Sequence, residues 1–272
     1  MISIVATYHN RREQAVATLH SIEKQIQDGY GEGLEFICVN HNSRPDQTLD
    51  DLTTQFDFLK IINVQNNTKN PCVPYNIGFH HSKGDKIIIQ NSECLHAGNI
   101  LEVTDRLLTE NNYLSFACYS TDQPTAGFVI DKMSVSDING IVNTIQQCPQ
   151  ARDGFLSNCW YNHSIHSPRH LHFTTAISKK ALNELRGFDE RYEFGMDYDD
   201  NEFIFRIKKM GLQIVPIDSP FSVHLFHESS YVPTIINSVA YTPNDLRRIN
   251  FNIFVNKTQV ESGHSAIWNQ YY

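Results

Sequence analysis

The chain has 272 residues, with 30 Asp and Glu against 22 Lys and Arg, for a formal net charge of −8. Such a field repels nucleic acid and anionic lipid, and no basic cluster with interleaved aromatics offsets it, which argues against a nucleic-acid partner. The composition, 40% apolar and 19% charged, is that of a soluble globular protein, and no stretch approaches the roughly 20 apolar residues of a membrane span.

Ile2 to Tyr8 reads as a strand, and the HNRR after it opens a helix in which Val16, Leu19, Ile22 and Ile26 form one apolar face. Asp28 to Gly33, rich in glycine, ends that helix. Leu34 to Val39 is a second strand, stopping at Asn40-His41-Asn42-Ser43. Leu59 to Val64 is a third, and Asn76 to Ser82 has helical character. Gly84-Asp85 then turns into a strand over 86–90, where Ile87, Ile88 and Ile89 give way abruptly to Gln90-Asn91-Ser92-Glu93. Strands alternating with helices predict an α/β fold with a mostly parallel, Rossmann-like sheet flanked by helices. Polar residues at the carboxyl ends of such strands are where ligands sit.

Further on, the pattern predicts a helix over 99–108, a strand over 113–120 and irregular chain over 121–158. A strand over 170–177, helices over 179–185 and 200–210, and strands over 212–217 and 223–227 follow. Beyond Glu228 periodicity is lost, and 228–272 is expected to be a tail that wraps the domain or joins a homo-oligomer. No repeat or low-complexity linker divides the chain, which favours one domain. Six cysteines without a CxxC pair predict reduced thiols. The opening MISIVATYHN has no charged and apolar leader pattern, so a cytoplasmic chain is expected.

Four segments, in order, resemble family 2 glycosyltransferases of the GT-A fold. ISIVATYHNRREQAVATLHSI is similar to the family's opening strand and helix. FICVNHNS stands where the family carries a strand ending in Asp-Asp-Gly-Ser. NPCVPYNIGFHHSKGDKIIIQNSE is similar to its asparagine-glycine helix, Lys-Gly-Asp turn and strand leading to the DxD motif. LRGFDERYEFGMDYDDNEFIFRIKKMG is similar to its Gly-Phe-Asp-Glu segment, acidic motif and helix.

The resemblance implies a GT-A domain over 1–227, with 1–98 as the nucleotide-sugar half and 99–227 as the acceptor half. It implies a hexosyltransferase-type enzyme that moves a sugar, with inversion, from a nucleotide-diphosphate sugar to a glycan or other hydroxyl acceptor. The donor is expected to be UDP-linked and the cofactor a divalent metal, manganese first and magnesium second. Thr7, Tyr8, Asn40, Asn42, Asn76, Gln90 and Asn91 are the expected donor-binding residues. The family's two acids are Asn40 and His41 here. The Asn40 amide oxygen can still accept from a base N–H, while Asn-x-Asn-Ser is also good turn chemistry.

Register places Asn91-Ser92-Glu93 on the DxD motif, where Glu93 offers a carboxylate and Asn91 a neutral carbonyl. His224 and His227 would complete the metal set, and imidazole favours manganese over magnesium. By spacing alone, histidines at i and i+3 are more often surface or packing residues than ligands. Pro74-Tyr75 stand where the family commonly has an arginine, leaving Lys69 or Lys83 to supply its charge. Asp200 keeps the family's six-residue spacing to Arg206, which makes Asp200 the general base and Asp199 its neighbour. Helix capping explains one or two acids but not four between 197 and 202. Trp160, Tyr161 and Asn162 are the candidate acceptor wall, with plain core packing as the alternative for the aromatics. A second reading is a non-catalytic nucleotide-sugar or glycan-binding protein. The absence of HExxH and of GxGxxG after the first strand disfavours a zinc hydrolase and a nicotinamide oxidoreductase.

Overall fold

Strand β1 (Ile2–Tyr8) sets the frame because it is covered on both faces. Ile4, Ala6 and Tyr8 point into one core cluster and Val5 into the other, the period-two alternation of a strand buried on both sides. The same split holds for Phe36 and Cys38 against Ile37 and Val39 in β2 (Glu35–His41), and for Ile88 against Ile87 and Ile89 in β4 (Lys86–Asn91). These three strands and β3 (Leu59–Val64) pair in parallel in the order β3-β2-β1-β4. The structure is a computed structural model that describes residues 1–66, 68–133, 158–228, 234–236 and 239–257.

The second half of the sheet is mixed, so the expectation of mostly parallel pairing holds for the first half only. Strand β8 (Thr174–Ser178) runs antiparallel to β4 and to β6 (Asn112–Ser120), while β9 (Gln213–His224) lies parallel to β6. Strand β5 (Cys94–Ala97) closes the far edge antiparallel to β9, and β7 (Cys159–Asn162) pairs with β6. Helices α1 (Arg12–Gln27) and α3 (Ile100–Leu107) cover one face. Helices α2 (Cys72–His81), α5 (Lys179–Leu185) and α6 (Asp199–Lys209) cover the other.

Departures from the expected elements have local causes. Helix α2 starts at Cys72 rather than Asn76 because the Asn70 side chain accepts from the Cys72 N–H at 2.9 Å. The strand expected from 170 begins at Thr174, since His170 is left-handed at φ 64°. The two strands expected over 212–217 and 223–227 are one, β9. Its register against β6 shifts between Phe116 and Cys118, which interrupts the apolar pattern. Helix α4 (Gln123–Met133) lies in the stretch expected to be irregular, and 134–157 fall outside the described residues. The tail carries a short hairpin of β10 (Thr234–Ile236) and β11 (Val239–Tyr241), then helix α7 (Pro243–Lys257), docked beside the acidic segment. Among the described residues no helix is long and apolar enough to cross a membrane.

Candidate functional site

Glu93 occupies the Ser92-Glu93 turn between β4 and β5 and is buried at 1% exposure. Its register partner strand brings the histidines to it: Cys94 pairs with His224, and the Leu225 N–H donates to the Glu93 carbonyl at 3.0 Å. His224 Nε2 lies 3.3 Å and His227 Nε2 3.5 Å from the same oxygen, Glu93 Oε1. All three ligating atoms fall within 4.8 Å of one another. Edges of this length suit a cation bonded at about 2.1 Å to each ligand, with coordination positions left open. His227 Nδ1 donates to the Glu228 carbonyl at 3.0 Å, which orients the ring with Nε2 facing Glu93 Oε1. One carboxylate oxygen and two imidazole nitrogens so placed form a donor set that fits a divalent metal ion.

A guanidinium reaches the same carboxylate. Arg11, the residue before α1, donates through Nη1 to Glu93 Oε1. Burial alone would raise the Glu93 carboxyl, but the Arg11 charge and the two imidazoles outweigh it and hold the group well below the usual range. Burial acts on His224 in the opposite sense to its Glu93 contact and prevails, lowering it and favouring the neutral ring. Sequence reading treated HNRR only as a helix opening and missed Arg11. The available signal was its place one step past the carboxyl end of β1. Lys83 does not serve in its place, because its N–H meets Glu35 at the opposite end of the sheet, beside Ser3.

The acid pair opens α6 on the other side of Tyr75. Asp199 is buried; its Oδ1 accepts from Asn70 Nδ2 at 2.8 Å, and Oδ2 has no partner among the described residues. Burial raises its pKa to about 6. Asp200 is half-buried, and its Oδ1 accepts from the Asn201 N–H at 2.8 Å. Burial first, then the Asp199 charge, push its carboxyl well above the ordinary range. Burial is the main cause that raises the Tyr75 hydroxyl, and the charges of Glu93 and Asp199 add to it. Arg206 belongs to the fold instead. It pairs with Glu202 at 2.6 Å and donates to the Leu185 and Gly187 carbonyls at 2.5 and 2.9 Å, all buried.

The expected donor residues divide. Asn40 donates to Asn63 Oδ1 at 2.7 Å and leaves its own Oδ1 buried with no partner among the described residues, at the carboxyl edge of β2. Thr7 lies beside Asn91 in register. Tyr8 is buried, and its hydroxyl donates to the Gln47 carbonyl. Asn42 is left-handed at φ 56° and bonds the Asn66 carbonyl at 2.6 Å, so turn chemistry accounts for it. Three residues are turned away or engaged. Asn76 is fully buried and brackets Phe188 and Glu190, with N–H and carbonyl contacts of 2.8 and 2.9 Å. Gln90 is buried against His96 at 2.8 Å. The Asn91 side-chain oxygen accepts from Tyr75 at 3.1 Å.

On β7, a register shift separates the acceptor candidates: Trp160 pairs with Tyr119 and Asn162 with Cys118, neighbours on β6 that face opposite sides of the sheet. Trp160 packs in the core against Tyr119 and Phe221, and Asn162 is buried, joined to Leu171 at 2.6 and 3.0 Å. Tyr161 alone faces the metal-type cluster, with its ring 5.2 Å from that of His224 and 4.8 Å from that of Phe173.

The model of glycosyl transferase family 2 matches residues 3–167, more than half of the chain. The chain belongs to glycosyl transferase family 2. Similar solved structures include GalNAc-T7 with UDP, GalNAc and Mn2+, at TM-score 0.62 and 13% identity over 95% of this chain and 50% of that one. TarS of S. aureus with UDP-GlcNAc gives 0.57 and 14% over 85% and 62%. The mannosyltransferase PcManGT of Pyrobaculum calidifontis, solved with GDP-Man and Mn2+, gives 0.52 and 14% over 85% and 58%. This family 2 chain therefore has the GT-A fold and spans about 58–62% of the length of the last two. No curated protein matches its sequence.

Proposed function

We propose that this chain is an inverting, UDP-sugar-dependent hexosyltransferase in which Asp200 is the general base and Glu93, His224 and His227 hold a manganese ion. The observation that carries the reading is the convergence of two imidazole nitrogens on one buried carboxylate oxygen at the end of β4. A bound cation there supplies charge to the leaving diphosphate. The chain's own residues do the rest. Arg11 adds a guanidinium beside the same group, and the free Asn40 Oδ1 accepts from a base N–H. Asp200 takes the proton of the acceptor hydroxyl, whose oxygen attacks the anomeric carbon as the bond to the diphosphate oxygen breaks. A carboxyl raised by burial and by Asp199 is a stronger base than a free aspartate. Tyr161 offers an aromatic face on the acceptor side.

The non-catalytic alternative draws on Arg11, which already neutralises Glu93, and on Asn91, which is engaged by Tyr75. Thermal unfolding with a panel of nucleotides and nucleotide sugars, with and without manganese, tests the function. A ligand at 100 times its Kd stabilises the native state by about 2.7 kcal/mol. A shift for uridine diphosphates that grows with manganese, followed by transfer to a sugar acceptor with inverted configuration, is expected. No shift with any nucleotide refutes the donor site, and binding without transfer favours the alternative.

A further inference from the structure

The acid pair stands on backbone that its own residues would not choose. Asp197 and Tyr198 have φ of 58° and 69°, two consecutive left-handed residues immediately before Asp199. Side chains with a Cβ rarely hold this conformation, tyrosine less readily than aspartate, so it persists where neighbours over-determine it. Those neighbours come from α7. Buried Asn250 donates through Nδ2 to the carbonyls of Tyr192 and Asp197, at 3.2 and 2.8 Å. The Met196 N–H donates to the Leu246 carbonyl at 3.2 Å. Arg247 Nε meets the Asp197 carboxylate at 2.7 Å. The Tyr198 ring packs on Phe251 and Phe254, with centroids 5.5 and 5.8 Å apart. Gly195 permits the approach, since a Cβ there would meet Asn250 Oδ1 at 1.9 Å.

We infer that α7 is a positioning clamp for the acid pair, with Asn250 and Arg247 fixing the left-handed Asp197-Tyr198 step from which Asp199 and Asp200 open α6. The inference rests on the proposed role of Asp200. It assigns work to a segment beyond the 3–167 matched by the family model. Neither clamp residue reaches the reacting atoms; both act through backbone and through Asp197.

Asn250→Asp in the full chain tests it, because the variant keeps the shape but presents an oxygen to two carbonyls. Arg247→Gln, at a half-exposed side chain, carries the same test should the buried variant fail to fold, and Arg247→Lys is the conservative rescue. Amide exchange over 196–202 should quicken about tenfold or more. The kcat should fall about 10- to 100-fold, the scale set by small misplacements of a reacting group, with donor KM within about twofold. Unchanged exchange in both variants overturns the clamp, as does faster exchange with wild-type kcat. Exchange is read without any donor. A wild-type chain that transfers no sugar therefore refutes the transferase function, while the clamp then stands or falls on exchange alone.

Discussion

Asp199→Asn should make the protein more stable at neutral pH while abolishing transfer. Asp199 Oδ1 accepts from Asn70, and Oδ2 is buried with no partner among the described residues. An asparagine can therefore keep the acceptor toward Asn70 and set its amide nitrogen where the orphan oxygen was. The wild-type carboxyl is raised from 3.8 to about 6. Between those values the native state holds a proton that the unfolded chain has released, so the stability this group allows is present below about pH 4 and lost as pH rises through 6. Two pKa units at about 1.4 kcal/mol each give an upper bound of about 3 kcal/mol. The variant does not titrate and escapes that loss. Calorimetry of both proteins at pH 4 and pH 8 is the assay, with an expected gain of several degrees for the variant at pH 8 and little difference at pH 4. A difference in melting temperature that is flat across this range would refute the reasoning, since it would place the shift outside the burial of this carboxyl.

Three further outcomes follow from the site. Asp200→Asn should lower kcat by about 10³-fold or more with nucleotide affinity unchanged by calorimetry; a fully active variant would remove Asp200 as the base. Glu93→Gln should weaken manganese binding by about 100-fold or more, read by electron paramagnetic resonance of the free ion, and unaltered binding would take Glu93 out of the metal set. Arg206→Leu should cost about 3–5 kcal/mol in denaturant unfolding, because it strands the buried Glu202 carboxylate; a loss below about 1 kcal/mol would contradict the fold role given to Arg206.

The strands and helices that carry one clear period were legible in the chain. Leu59–Val64 and Lys179–Leu185 have the expected bounds, and α1 and β4 lie within a residue or two of theirs. Propensity could not show that β8 would insert antiparallel between β4 and β6, because an apolar strand has the same side-chain period in either direction and the long connection from β4 permits both. At the site, residue types at strand ends pointed to Glu93 and the two histidines, and register then brought them together. Side-chain direction was the illegible part. Asn76 and Gln90 occupy the anticipated positions but face inward, and the slip of register at Tyr161 puts Trp160 and Asn162 on opposite faces of the sheet. Arg11 was overlooked because a helix-opening arginine reads as solvated until a buried carboxylate 82 positions away is seen beside it.

The insertion of β8 has a consequence for how this protein can be divided. Ile87, Ile88 and Ile89 of β4 have β1 on one side and β8 on the other. Asn70 and Asn76 tie the early chain to Asp199, Phe188 and Glu190. A fragment ending near residue 98 would display an apolar strand edge with no partner, the kind of template on which chains assemble indiscriminately. The β4–β8 pairing thus runs across any cut near residue 98. Expression as two complementing pieces, or insertion of a reporter there, would have to preserve the β4–β8 pairing first.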